Sequence, residues 1–297
     1  MLPWARFALH GLQRQFRKRR DPPGGMVPQW YLLHGRAGRE AFLGPKPAAL
    51  TKLLPPTDRF WADPFLWSSN GEEFIFFEEW IAGEPHAHIS TGRVDQGRLV
   101  DIRRVIEEPY HLSYPSLFEF EGALYMVPES TAAGTVGVYR CDGFPDSWRR
   151  VADLLPNTEM ADPTVFEHGG LWWLFGAKRD PVLRGFNALH AFYAKSPLAE
   201  DWEPHMKNPI VRDHQTARPA GRVMNVGGVW IRPAQDGSVR YGYALVLRQI
   251  IELSPDQYQE KTLTVLRPTW EPGLRANHHI DWHAGSIVMD AQRLVSR

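Results

Sequence analysis

Two aspartates stand in the same short motif, 99 residues apart. Asp63 precedes a proline in Trp-Ala-Asp-Pro-Phe, and Asp162 precedes one in Met-Ala-Asp-Pro-Thr. Neighbouring carboxyl groups push their pKa values apart, so one of them can act as an acid while the other acts as a base. Cleavage of a glycosidic bond requires such a set of carboxyl groups. The two aspartates are therefore candidate catalytic residues, provided that the fold brings them together.

Two further residues, Tyr114 and Arg218, also stand before a proline in a similar context. Measured from proline to proline, the steps are 51, 48 and 56 residues. Each X-Pro segment is followed by a glycine-containing turn and a second apolar run, as at residues 69–71 and 74–77. Such hairpins at a fixed period are typical of four-stranded propeller blades. We predict an all-β fold, a five-bladed β-propeller, with a fainter fifth unit over residues 280–289.

Composition supports one large domain. The chain has 297 residues, of which 43% are hydrophobic and 12% aromatic, so it can form a sizeable core. We predict a basic amino-terminal extension over residues 1–27 and the propeller over residues 28–297. A β-sandwich also shows short strands at regular spacing, but it gives no reason for one dipeptide to recur in every unit. The single Cys141 excludes an intramolecular disulfide and is typical of a reducing compartment.

The extension is a separate electrostatic unit. Residues 1–20 hold six basic residues and no acidic one, whereas the rest of the chain has 28 basic and 34 acidic residues. The stretch lacks the apolar core of a signal peptide and the length of a membrane span. We expect a cytoplasmic protein whose residues 1–20 form a solvated leader. The alternative is a basic amphipathic helix that contacts the inner membrane surface. Nucleic acid is not an expected partner, because the acidic remainder would repel phosphates.

The repeat predicts a polar ring on the propeller axis. The first strand of each blade lines this axis, so the four residues that precede the prolines should converge there. The second strands end in another polar set, which includes Glu79, with Glu78 as an alternative, and Glu129. We predict Asp63, Asp162, Glu129 and Glu79 as catalytic residues. The predicted substrate-binding residues are Trp61, Tyr114, Arg218, Gln235, Asp236 and His279.

Aromatic and imidazole side chains complete the candidate site. Trp61, beside Asp63, is the best candidate for stacking on the apolar face of a sugar ring. The cluster of His278, His279 and His283 contains residue types that bind transition metals. Side chains at positions i and i+4 lie on the same face only in a helix, whereas the residues around this cluster are typical of a strand. We therefore interpret the cluster as the polar entrance of the fifth blade and predict neither a metal nor another cofactor.

Several short segments resemble a known family. An Asp-Pro pair at the start of the first and third blades resembles the arabinanase, β-xylosidase and fructosidase superfamily of glycoside hydrolases, which is family 43-like. A more specific similarity, over about residues 55–292, is to the propeller that precedes the transferase domain of plant glucosamine inositolphosphorylceramide transferases and that bacteria also encode alone. The segments that carry it are 61–64, 127–130, 162–164, 218–221 and 232–236.

The resemblance implies roles for individual residues. Asp63 would match the general base of the hydrolases, Asp162 the aspartate that orients the acid and tunes its pKa, and His279 an axial histidine that helps to hold an ion or water. The acid of the family is a glutamate at the next blade. Here that segment reads Ala-Arg-Pro-Ala-Gly around Arg218, with no glutamate. Either a glutamate of a neighbouring blade takes the role of the acid, or the pocket binds or transfers sugars without it.

These observations predict a carbohydrate-active protein. We expect a glycoside hydrolase-like enzyme that cleaves or transfers a glycosyl group of a glycan or glycolipid. The alternative is a non-catalytic glycan-binding or scaffold module in envelope polysaccharide or glycolipid biosynthesis. We also predict that residues 29–33 pair with strands near the carboxy terminus, which would close the ring and hide its open edges.

Overall fold

The computed structural model describes residues 25–36, 38 and 50–296, so the proposed helix of residues 1–20 lies outside the described residues. Within these ranges the chain forms five antiparallel sheets and one short 3₁₀ turn, Thr131–Ala133. The first two strands are β1 (Met26–Arg36) and β2 (Thr51–Leu53). None of the helical segments among the described residues is long and apolar enough to cross a membrane.

Four of the sheets are made of consecutive strands, which is the arrangement that the hairpin repeat predicts. The first blade contains β3 (Arg59–Ser69), β4 (Glu72–Ile81), β5 (His88–Asp95) and β6 (Arg98–Ile106). The second contains β7 (Ser113–Phe120), β8 (Ala123–Glu129), β9 (Gly137–Gly143) and β10 (Ser147–Asp153). The third contains β11 (Ala161–His168), β12 (Leu171–Lys178), β13 (Ala188–Ala194), β14 (Glu203–Pro204) and β15 (Val211–Arg212). The fourth contains β16 (Arg218–Pro219), β17 (Met224–Val226), β18 (Val229–Asp236), β19 (Ala244–Leu253) and β20 (Tyr258–Leu266).

The fifth blade joins the two ends of the described chain. Its strands lie in the order β2-β1-β22-β21, where β21 is Ile280–His283 and β22 is Ser286–Ser296. The pairing of β1 with β22 runs without a break from Met26 opposite Ser296 to Arg36 opposite Ser286. The prediction that residues 29–33 close the ring is therefore confirmed. Sheet edges that would otherwise be open to other chains are paired in this way.

A repeated backbone irregularity marks the innermost strands. The residue before each proline has a left-handed backbone, with φ of 51° at Asp63, 47° at Tyr114 and 54° at Asp162. In all three blades the pairing register with the second strand shifts at this residue, as a β-bulge does. A β-bulge changes the direction in which side chains point. A left-handed backbone at a residue other than glycine costs free energy, and such strained residues cluster at functional sites. The structure thus confirms the equivalence of these three positions.

The fourth blade departs from this pattern. Its inner strand is divided into β16 and β17, and Gly221 between them has φ of 135°. A Cβ atom on Gly221 would lie 1.8 Å from the backbone oxygen of Ile280, which begins the inner strand of the fifth blade. Only glycine permits this approach. Aromatic and aliphatic side chains fill the space between adjacent blades, and Phe65, Phe76 and Phe77 are fully buried there.

Candidate functional site

Asp63 lies within β3, at the bulge that follows Ala62, and near the end of the propeller axis that we call the site end. Its backbone N–H donates to Asp290 Oδ2 (3.1 Å). Asp290 Oδ1 accepts the backbone N–H groups of His278 (2.9 Å) and His279 (3.0 Å). Asp290 belongs to β22 and is fully buried. One carboxylate of the fifth blade therefore fixes three backbone positions around the axis.

The charges beside Asp63 keep its carboxyl group ionised. His278 Nδ1 lies 2.6 Å from Asp290 Oδ2, and the His278 ring stacks on Trp30 with the centroids 4.1 Å apart. Burial lowers the pKa of His278, but the charges of Asp290 and Asp63 outweigh it and raise this pKa to about 9. Burial raises the pKa of Asp63, but the His278 charge and the His279 contact outweigh it and lower this pKa to about 2. At neutral pH a carboxylate therefore faces an imidazolium.

The Oδ1 atom of Asp63 lies beside the imidazoles of His278 and His279. Asp63 Oδ1 is buried and has no hydrogen-bond partner among the described residues. It lies 3.7 Å from His278 Nε2 and 3.6 Å from His279 Nδ1, which is beyond hydrogen-bond distance. An unpaired buried carboxylate oxygen is costly to desolvate and is suited to accept a proton or a hydrogen bond from a bound molecule.

Asp162, at the equivalent position of the third blade, has a different environment. Its carboxylate pairs with Arg218 in a two-pronged contact, with Arg218 Nε 2.5 Å from Oδ2 and an Nη 3.2 Å from Oδ1. Gln235 Nε2 also donates to Oδ2 (3.2 Å). Burial raises the pKa of Asp162 to about 6, because the opposing effect of Arg218 is only partial and the charges of Asp63 and Glu129 raise it further. The repeat thus brings two equivalent aspartates near each other with different proton affinities.

Two glutamates add to this cluster. Glu129, at the end of β8, accepts a hydrogen bond from the Ser113 hydroxyl (2.9 Å) and another from the Thr131 hydroxyl. Glu78 Oε1 lies 3.2 Å from His111 Nε2. Burial raises the pKa of Glu78, the His111 contact offsets part of this effect, and the charge of Asp63 raises the pKa further.

Glu79 belongs to a separate network. Its carboxylate accepts hydrogen bonds from Trp61 Nε1 (2.9 Å), the Ser90 hydroxyl (2.7 Å) and Arg59 (3.3 Å). Consecutive residues of a strand point to opposite faces, so Glu78 points toward Asp63 and Glu79 points away from it. The choice of Glu79 over Glu78 for the axial set therefore has to be corrected.

Trp61 also points away from the axis. Its indole is buried against Phe77, with the ring centroids 5.3 Å apart, and only 4% of the residue is exposed. Such a ring has no free face for a sugar. The assignment of Trp61 as a stacking residue is corrected to a core residue between blades.

The remaining predicted binding residues are also placed by the structure. The Tyr114 hydroxyl donates to the Gly221 oxygen (3.0 Å) and accepts the Gly221 N–H (2.9 Å), so it ties the second blade to the fourth. His279 is fully buried between Phe65 and Tyr114, with ring centroids 4.7 and 5.1 Å away. Asp236 accepts bonds from the N–H and the hydroxyl of Ser238, which is the pattern of a turn. Of the six predicted binding residues, Arg218 and Gln235 contact Asp162 directly.

Sequence reasoning missed three residues of this region. Asp290 fixes the backbone around Asp63, and His111 faces Glu78. Tyr241 lies with its ring 5.3 Å from the Arg218 guanidinium and 5.4 Å from the His278 ring. None of the three belongs to a repeated motif, so the period did not reveal them.

Asp63, His278 and Asp290 could also be considered as metal ligands. One ligand atom of each lies within 4.8 Å of the others. Protonation of both imidazole nitrogens leaves no lone pair for a metal, and the raised pKa of His278 favours that form. The three residues form an ion-pair network as described, and a metal would have to displace the His278 proton to bind them.

Fold and site together define a five-bladed β-propeller with ionisable side chains gathered at one end of its axis. Solved structures share this fold. A family 117 glycoside hydrolase, Zg3597 of Zobellia galactanivorans, superposes over 90% of this chain and 90% of its own, with a TM-score of 0.57 and 13% identity. An α-L-arabinofuranosidase of Lactobacillus brevis superposes over 78% of this chain and 81% of its own, with a TM-score of 0.58 and 14% identity.

The sequence is similar to a more specific group. Residues 48–295 match the family model described as glucosamine inositolphosphorylceramide transferase 1, N-terminal, and the chain belongs to this family. Glucosamine inositolphosphorylceramide transferase 1 of Oryza sativa subsp. japonica is 31% identical over 276 residues, which are 89% of this chain and 36% of the relative. The protein of the same name from Arabidopsis thaliana is 32% identical over 68% of this chain and 27% of its own length. The chain thus spans about a third of these relatives.

Proposed function

We propose that this propeller is carbohydrate-active and acts on a glycosidic linkage of a glycan or glycolipid at the site end of its axis. The observation that carries the proposal is the unequal proton affinity of neighbouring carboxyl groups. The pKa of Asp63 is lowered to about 2, whereas that of Asp162 is raised to about 6 and that of Glu78 is also raised. Glycosidic cleavage or transfer uses one ionised and one protonated carboxyl group in this way.

Asp63 is assigned as the base or nucleophile. It is ionised at neutral pH, and its Oδ1 has no hydrogen-bond partner among the described residues. Asp290 holds the backbone of Asp63, and the His278 charge compensates that of the carboxylate. A base with a fixed position and a free lone pair can accept the proton of a water or sugar hydroxyl.

Glu78 is assigned as the acid. Arg218 stands where related hydrolases are expected to have their acid, and it engages Asp162 with two nitrogens. Asp162 is thereby held by a guanidinium, whereas the Glu78 carboxyl group contacts the His111 imidazole. Glu129 remains the alternative acid, because the hydroxyl groups of Ser113 and Thr131 orient its carboxylate near the same cluster.

The names of the relatives support the choice of substrate class. They are named glucosamine inositolphosphorylceramide transferases, a name that combines a sugar with a lipid. Because the chain covers only about a third of these relatives, the propeller's part in such a reaction belongs to the proposal. A glycolipid headgroup or the glycan itself is the proposed ligand of the axial site.

The test compares turnover with binding. The protein would be screened against furanoside and pyranoside glycans and extracted glycolipid headgroups, with product release and binding measured together. Asp63→Asn should keep the fold and the binding but lower turnover about 10²- to 10⁴-fold. Glu78→Gln should reduce turnover most for substrates with poor leaving groups, because these need the proton of the acid. Saturable binding without product from the unmodified protein would overturn the enzymatic proposal.

One observation favours a second candidate, a glycan-binding module without turnover. Arg218 replaces the expected acid and pairs with Asp162, so the site resembles a fixed recognition surface as much as a catalytic one. A binding module would lose affinity with Asp63→Asn and show no product with any substrate. The screen described above distinguishes the two candidates.

A further inference from the structure

An ordered loop presents apolar side chains to solvent at the site end. Residues 179–187 connect β12 to β13 and lie beyond the strand ends that carry Ala161 and Ala177, which pair next to Asp162. At its outer turn stand Pro181, Val182 and Leu183, which we call the apolar tip. Val182 is 73% exposed.

The loop is built to hold this tip outward. Asp180 is buried, and its Oδ1 accepts the N–H groups of Val182 (2.8 Å) and Leu183 (2.7 Å). Its other oxygen pairs with Arg212 of β15, and the Arg184 N–H donates to the Asp180 backbone oxygen (2.9 Å). A buried charged anchor at the base of a turn fixes the backbone above it. Val182 is therefore held in solvent by specific contacts of its neighbours.

Other apolar and basic groups lie around the same opening. In the loop between β18 and β19, Val239 is 42% and Tyr241 is 40% exposed. Arg179 covers the Phe186 ring at 4.4 Å and pairs with Glu159 (3.0 Å), whereas Arg184 is exposed without an acidic partner among the described residues. Apolar side chains flanked by arginines suit the boundary between lipid headgroups and acyl chains.

The amino-terminal segment joins the fold at this end. β21 leaves the site end at Ile280, and β22 returns and ends at Ser296, which pairs with Met26 of β1. Met26, near the start of the described chain, thus lies at the site end, and residues 1–20 of the sequence carry six basic side chains and no acidic one. The point at which the basic sequence enters the fold therefore lies at the same end of the molecule as the apolar tip, as binding to an anionic bilayer would require.

We infer that the site end of the propeller docks on an anionic lipid bilayer, with Val182 and its apolar tip inserted among the headgroups. The axial carboxylates then open toward the membrane, where a glycolipid headgroup is presented. Binding to vesicles needs no turnover, so an inactive protein can still show docking.

The test uses the full chain with vesicles of phosphatidylcholine alone and of phosphatidylcholine mixed with phosphatidylglycerol. Val182→Asp is expected to weaken co-sedimentation with the mixed vesicles about tenfold, because an inserted valine is replaced by a charge. Arg184→Glu should weaken it more at low salt than at high salt. Met206→Asp is the matched control. Met206 is 79% exposed but bonds to Pro255, in the turn at the far end of β19, and its replacement should leave binding unchanged.

A second measurement locates the contact. Cys141 is the only cysteine, so a Cys141→Ser background allows one polarity-sensitive fluorophore to be placed at Val182→Cys or at Met206→Cys. Mixed vesicles should shift the emission of the first label to the blue and leave the second unchanged. The inference is overturned if Val182→Asp binds as the parent does or if both labels respond alike. It is also overturned if replacing Arg17, Lys18, Arg19 and Arg20 by glutamine removes all binding while Val182→Asp removes none.

Discussion

Replacing Asp290 by asparagine tests the assignment of this residue as the anchor of the axial site. The side chain keeps its size, but an amide can keep only one oxygen. If that oxygen continues to accept the N–H groups of His278 and His279, the new NH₂ group faces the Asp63 N–H and the His278 Nδ1–H, which are also donors. The buried ion pair is lost and two donors are left unpaired.

The expected cost follows from this geometry. Removing one partner of a buried ion pair destabilises a protein by about 3–5 kcal/mol. For a domain of this size, that corresponds to a fall in the melting temperature of roughly 6–20 °C. Calorimetry and urea unfolding at pH 7 would measure it. Asp142→Asn is the matched control, because Asp142 pairs with Arg149 at an exposed site and should cost no more than about 1 kcal/mol.

The pH dependence adds an independent check. The folded pKa of His278 is raised to about 9 from an ordinary value of 6.5, so its ion pair contributes fully below pH 6.5 and is lost as the pH rises through 9. The difference in the free energy of unfolding between the parent and Asp290→Asn should therefore narrow above pH 9, and the part due to the unpaired Asp63 N–H should remain. A variant as stable as the parent at pH 7, or a difference that does not change up to pH 10, would refute the ion-pair assignment.

Three further results are expected. Gly221→Ala should prevent stable folding, because its Cβ would lie 1.8 Å from a backbone oxygen. The control Gly228→Ala has open space around it and φ of 84°, so it should cost only about 1 kcal/mol in urea unfolding. Glu79→Gln should reduce stability but leave glycan affinity unchanged. Glu78→Gln should reduce glycan affinity but leave stability unchanged. Equal effects of the two variants on binding would contradict the separation of the two networks. The pKa of Glu79 is lowered to about 2 from 4.5, so its contribution to the free energy of unfolding is present above pH 4.5 and is lost as the pH falls through 2. In acid unfolding, the difference in stability between the parent and Glu79→Gln should therefore close over that pH range.

Much of the fold could be predicted because a propeller repeats one local pattern. The dipeptides at Asp63, Tyr114 and Asp162 recur because each blade bends its inner strand at the same point, and all three have the same left-handed backbone. Closure through residues 29–33 could be predicted from an apolar run with no other partner. Arg218 has the same place in the sequence, but its strand is broken by the close approach of Gly221 to the fifth blade, which no local pattern encodes.

The site was harder to predict than the fold. Which of Glu78 and Glu79 faces the axis depends on the phase of β4, and the bulge at Ala62 and Asp63 interrupts the pairing that would reveal it. Asp290 reaches Asp63 across 227 residues, and nothing near it in the sequence resembles a catalytic motif. Proton affinities depend on burial and on neighbours in three dimensions, so the difference between Asp63 and Asp162 is invisible in two nearly identical motifs.

Closure of the ring by both ends of the chain also fixes the order of folding. Met26 and Ser296, which pair, are 270 residues apart, so the fifth blade cannot form on the ribosome until the last strand has left the exit tunnel. Until then Trp30 to Leu33, which are buried in the finished protein, can pair only with the short strand β2 and not with β22. The entropy of closing so long a loop grows only slowly with length, but the search for so distant a partner is slow. Synthesis of the final strand therefore sets the earliest moment at which the axial site can exist, because Asp290 is part of that strand.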